Sequence, residues 1–141
     1  MNSDCEVLCC LYTSAEDHIK SFNALLKQEY SAALTYVVAS QLRIAKQTKQ
    51  DAKNALGRMD VSLTELKESV AYRKTANVTA KPAEKNEKIL AEALIKDTTA
   101  HVIYISRSLN QYSDCSVSVK SMAEKTIELE NLFMARLRGF L

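Results

Sequence analysis

Few residues in this chain can stop a helix. Gly57, Pro82 and Gly139 are all the glycine and proline it contains in 141 residues, where average usage is about 7% Gly and about 5% Pro. Ala, Leu, Lys, Glu and Gln are plentiful, and these side chains lose little rotamer freedom in a helix. A chain with so few places to turn is expected to run in long helices.

One stretch carries a regular helical period. Val38, Leu42, Ala45, Lys49, Ala52, Leu56, Met59, Leu63, Leu66 and Val70 alternate steps of four and three, the spacing of a coiled-coil seam. Lys49 is its one polar position, and a polar seam residue specifies register or partner at some cost in stability. The seam crosses the polar run Lys46–Asp51 without losing phase. The expectation is therefore one continuous helix over residues 14–74, opened by the capping box Thr13-Ser14-Ala15-Glu16. The alternative is two antiparallel helices with a break near 48–57, where Gly57 weakens the helix by about 1 kcal/mol relative to Ala.

The connector Thr75–Pro82 divides the chain. Pro82 suits the first turn of a second helix, expected over 82–111. Ser113-Asp114-Cys115-Ser116 is turn-like, and a second capping box, Ser121–Glu124, opens a last helix over 119–138, with Gly139 as its C-cap. Residues 1–12 read as a Cys-rich tail and residues 13–141 as a single helical domain. The fold class that follows is all-α: long antiparallel helices in a coiled-coil-like hairpin or an elongated helical bundle.

The cysteines are Cys5, Cys9, Cys10 and Cys115, with no CxxC. Free thiols in a reducing compartment, cytoplasmic or otherwise intracellular, are the simplest reading. Acids near the start, in place of the positive charge a signal peptide needs, agree with it. Palmitoylation of Cys9 or Cys10 is the alternative use of the cluster.

The chemistry is read mainly by exclusion. Two glycines cannot build a phosphate loop, and no Gly-x-Ser-x-Gly elbow occurs. The two histidines are His18, expected to be solvated in a first helical turn, and His101, which has Asp97 four residues before it as a local carboxylate partner. A di-iron bundle needs Glu-x-x-His on two helices, and the chain has none, although Glu29 and Glu128 or Glu130 fall where such bundles place carboxylates. No cofactor, metal ligand set or catalytic residue is assigned, and the chain is not expected to be an enzyme.

What is left is surface. The leading expectation is a non-catalytic interaction protein, either a self-associating coiled-coil oligomer or a small complex subunit, pairing through Leu42, Lys49, Leu56, Met59, Leu63, Leu66 and Val70. A second reading takes Arg43, Lys46, Lys49, Lys53 and Arg58, interrupted by the single acid Asp51, as a face for phosphates of nucleic acid or an anionic membrane. A third is a ferritin-like bundle with altered metal ligands.

Overall fold

The computed structural model describes residues 2–68 and 85–141. Those residues are helical with no strand, and the all-α expectation holds. The described residues form the helices α1 (Ser3–Leu25), α2 (Ala32–Gly57), α3 (Leu63–Glu68), α4 (Glu87–Gln111) and α5 (Val117–Leu137), followed by a 3-10 turn, Arg138–Phe140. The connector Thr75–Pro82 and Val70 lie outside the described residues.

Over its described part, residues 14–68, the single helix expected over 14–74 is instead divided among three helices. The first break falls at residues 26–31, which contain neither Gly nor Pro. Ser31 makes the new start: its Oγ accepts from the Leu34 amide at 3.2 Å and donates to the Glu87 carboxylate at 2.6 Å. The second break follows Gly57, where Asp60 takes the left-handed conformation (φ 59°). Asp tolerates that conformation because its short polar side chain can bond locally. Gly57 and Gly139 both keep negative φ, so neither glycine serves as the left-handed cap. The other starts are also capped by short polar side chains: Asn2, Asn86 and Ser116 accept from amides in the first turns of α1, α4 and α5.

The supposed tail is helix as well. Residues 3–12 form the first part of α1, and Val7, Leu8, Cys9 and Leu11 are wholly buried. Thr13 does not open a helix. It lies within α1, where its hydroxyl donates to the Cys9 and Cys10 carbonyls at 3.0 and 3.2 Å. Cys9 and Cys10 face the interior, and burial pushes the Cys10 thiol up to about 12. Both sulfurs are packed into the interior of this fold.

Contacts fix the directions. Cys5 meets Met59 (Sγ–Sδ 3.5 Å), the Lys49 ammonium lies 5.4 Å from the Tyr12 ring centre, and Leu25 and Leu34 share one apolar cluster. α1 and α2 are therefore antiparallel. Asp4 accepts from the Ser116 amide at 2.6 Å and His18 meets Glu130, so α1 and α5 run parallel. Thr99 on α4 reaches Met134 on α5 at 3.3 Å.

The core lies in two parts along the bundle. One cluster gathers Leu8, Leu11, Ala52, Leu56, Leu66, Ile105, Val119 and Ala123. The other gathers Phe22, Leu25, Leu34, Leu42, Leu90, Leu94, Phe133 and Leu137. On α1, α4 and α5 the residues between these clusters are polar and still buried: Ser14, Asp17, His18 and Ser21, then Thr98 and His101, then Thr126 and Glu130. The seam of α2 faces this core. Leu42, Leu56 and Leu66 are buried within the chain, and Met59 packs on the first cluster. Leu42 and Leu56 of α2 and Leu66 of α3 thus form part of the core of this bundle. Leu63 begins α3, and its side chain lies outside the described set.

Candidate functional site

The heptad-like face of α1 runs Leu8, Leu11, Ala15, His18, Phe22, Leu25, in steps of three and four. His18 stands in that line, and so it is buried (3% exposed) and not solvated. Its ring stacks on Phe22 (centroids 4.7 Å apart, planes at 15°) and meets the edge of Phe133 at 6.3 Å. α5 presents Ala123, Thr126, Glu130, Phe133 and Leu137 with the same alternation, which carries the Glu130 carboxylate inside. α4 presents Leu94, Thr98, His101 and Ile105. Three helices thus deliver a histidine, a histidine and a glutamate to one level.

The groups meet in a chain. His18 Nε2 is 2.9 Å from Glu130 Oε2 and 3.1 Å from His101 Nδ1. His101 Nε2, on the far side of its ring, is 3.7 Å from Asp17 Oδ2, which is an electrostatic contact and too long for a hydrogen bond. A carboxylate only accepts, so His18 Nε2–H donates to Glu130. The His101 Nδ1 lone pair then faces the same proton, and the His101 proton sits on Nε2, toward Asp17. Tautomers are inferred from such networks and not seen directly. This assignment leaves no two protons facing each other.

The layer is incompletely satisfied. Asp17 Oδ2, Gln41 Nε2, Asp97 Oδ2, Thr98 Oγ1 and His101 Nε2 are buried atoms without a hydrogen-bond partner within the chain. Each such group costs about 1–3 kcal/mol, so the layer stabilises less than an apolar filling would. The expected Asp97–His101 pairing is not the main contact of His101, which turns to His18 and Asp17 instead. Burial holds the Asp97 carboxyl above its usual range, while the nearby imidazoles of His101 and His18 pull it down.

That shift has a measurable sign. A carboxyl raised on folding penalises the native state at neutral pH, and the penalty disappears as pH falls below the unfolded value of about 3.9. Asp97→Asn is expected to raise the melting temperature by a few degrees at pH 7. The gain should shrink to nothing as pH falls through the carboxylate range. Melting curves of the two proteins at several pH values test this.

Among the described residues no three His, Cys, Asp or Glu side chains converge to hold a metal ion. The facing atoms of the layer form a line and not a coordination shell.

Arg43, Lys46, Lys53 and Arg58 are exposed, and no described carboxylate lies within ion-pair distance of them. Lys49 differs: it is half-buried, held over Tyr12 of its own chain. Around the helix from this basic stripe lies a cleft of about 340 Å³ between α2 and α5, lined by Ile44, Gln47, Thr48, Asp51, Met122, Lys125, Thr126 and Leu129. A larger depression of about 450 Å³ lies against α5 alone, at Glu124, Ile127, Glu128, Asn131 and Leu132. It is open, and among the described residues one helix walls it.

Among the described residues no helix is long and apolar enough to cross a membrane. Comparison with known proteins gives no match to a family model, a curated protein or a solved structure.

Proposed function

We propose that the chain is a non-catalytic helical-bundle protein that binds a protein partner, and that the partner presents an acidic amphipathic helix to the α2–α5 cleft. The observation that carries this reading is the pairing of an apolar floor with a basic flank. Ile44, Met122 and Leu129 are half-buried along the cleft, where an apolar helical stripe at i, i+3, i+4 and i+7 gains by burial. Arg43, about 100° around α2 from Ile44, and Lys125 on the α5 wall lie where carboxylates on the polar face of such a helix would pass. Basic flanks of this kind speed association and select partner charge more than they add affinity. Self-association through the α2 seam would require the bundle to open first, because that seam is already the core.

The test is a fluorescence-anisotropy titration with a labelled synthetic peptide carrying leucines at those four positions and glutamates elsewhere. Saturable binding that weakens about tenfold or more in Ile44→Glu is the expected result, since a buried unpaired carboxylate costs at least about 1.4 kcal/mol. Lys125→Glu should flatten the salt dependence. Circular dichroism establishes that both variants are folded. No binding by the wild type, or equal binding by Ile44→Glu, contradicts the proposal. A short DNA duplex and anionic vesicles serve as parallel probes. Steeply salt-dependent binding of either, lost in Lys46→Glu and indifferent to Ile44→Glu, would replace a protein partner with a phosphate-bearing one.

A further inference from the structure

We infer that the pocket between α1, α2 and α3 binds a small apolar monocarboxylate, with the apolar part against Tyr12, Leu56, Val61 and Leu66 and the carboxylate facing Lys53. The pocket has a volume of about 130 Å³. A protein cavity of about 150 Å³ lined by aliphatic and aromatic side chains takes up benzene, so a single ring or a short alkyl chain is the right size. A helix of a protein partner, about 10–12 Å across, does not fit. The pocket is therefore separate in kind from the α2–α5 cleft.

The turn after α2 builds it. Asp60 takes a φ of 59°, and the chain doubles back so that the Val61 amide donates to the Leu56 carbonyl at 3.1 Å. Ser62 then starts α3, its Oγ accepting from the Glu65 amide at 3.1 Å, and Leu66 returns to the first apolar cluster. Tyr12 closes the side from α1. Tyr12, Leu56 and Leu66 are buried and make the inner wall, Val61 is half-buried, and Lys53 and Gly57 are exposed at the mouth. A Cβ at Gly57 would meet nothing within 4 Å, so the glycine leaves that part of the rim clear.

The mouth is positive. Lys53 has no described carboxylate within ion-pair distance. Lys49, one helical turn before it, holds a second ammonium 5.4 Å from the centre of the Tyr12 ring, which walls the pocket. Asp60 and Glu65, the acids of the turn and of α3, are exposed and pair with neither lysine. An apolar group gains by leaving water for the inner wall. A carboxylate attached to it can stay hydrated in the mouth beside Lys53, which avoids the cost of burying a charge. The same charge disfavours an amine of equal size.

A benzoate titration of the full chain through the millimolar range, followed by carbon-13 methyl spectra at constant ionic strength, tests the site. The methyl signals of Leu56, Val61 and Leu66 should shift together and saturate, while those of Ile44 and Leu129 in the α2–α5 cleft stay in place. Lys53→Met changes an exposed side chain and should weaken benzoate about two- to fivefold, the range for an exposed charge pair. It should leave unchanged the binding of benzyl alcohol, which has the same ring without the charge. Lys46→Met alters net charge equally outside the pocket and should bind benzoate as the wild type does. Shifts that never saturate, or that move the cleft methyls instead, overturn the inference. So does a Lys53→Met protein that binds benzoate as tightly as the wild type, or an equal loss in Lys46→Met.

Discussion

Phe22→Ala is expected to destabilise the bundle by about 3–5 kcal/mol, the range for emptying a buried aromatic site. Phe22 has no exposed surface and closes the apolar cluster against the polar layer. One face covers the His18 ring at 4.7 Å, and Phe133 meets it edge to face with centroids 5.4 Å apart. Its removal leaves a void that relaxed packing fills only in part, and it removes the wall that keeps His18 in line with Glu130. A total stability of about 5–15 kcal/mol is usual for a domain, so the variant should be marginal or unfolded. Tyr36→Ala on exposed α2 surface provides the control and should fall within about 0.5 kcal/mol of the wild type. Denaturant midpoints measured together distinguish the two. Equal effects at both positions would contradict the packing described here.

Glu130→Ala is expected to cost a similar amount, about 3–5 kcal/mol, for a different reason. Removing one member of a buried pair leaves the other desolvated and unpaired. His18 Nε2 would lose the 2.9 Å acceptor and retain only His101 Nδ1. Glu130→Gln keeps an acceptor oxygen in place and should cost clearly less. Replacing Glu130 and His18 together by Leu should cost less than the Ala variant alone, because no polar atom of the pair is then left behind. That non-additivity identifies the pair. If Glu130→Ala proves neutral, His18 is being satisfied by some other group and the layer is arranged differently.

The sequence reveals the helical class, because scarcity of Gly and Pro and a long alternating seam are local signals. It conceals where the helices end. The turn at residues 26–31 has no breaker: Ser31 is the only residue there with a capping preference, and one serine among many does not announce a turn. What stops the helix is tertiary, since folding α2 back on α1 buries the inner faces of both. The capping box at Thr13 misleads in the other direction. Ser-Thr-Glu spacings occur inside helices too, and starting α1 at residue 14 hides the alternation Leu8, Leu11, Ala15, His18, Phe22, Leu25 that places His18 in the core. The same alternation on α5 selects Ala123 and Glu130, whereas following the most apolar residues leads to Met122 and Leu129, on the rim of the cleft. His101 is legible as a buried histidine, because it sits in an apolar run. Its partners, His18 and Asp17, come from another helix and are separated from it by 83 residues at His18, and no local spacing encodes such a meeting. The basic residues of α2 remain on the surface as their pattern suggests, except Lys49, which its position on the seam turns toward Tyr12.

His18 and His101 are joined inside the bundle, with Glu130 completing the line. Nitrogen-15 imidazole spectra of the folded wild type at pH 7.5 report this directly. The arrangement requires His18 to carry its proton on Nε2 and His101 to be the neutral Nε2–H tautomer, each ring showing one fixed tautomer and a slowly exchanging N–H. Two rings with averaged tautomers and ring protons exchanging freely with solvent would show that the histidines are not joined, and would contradict the central layer of the fold.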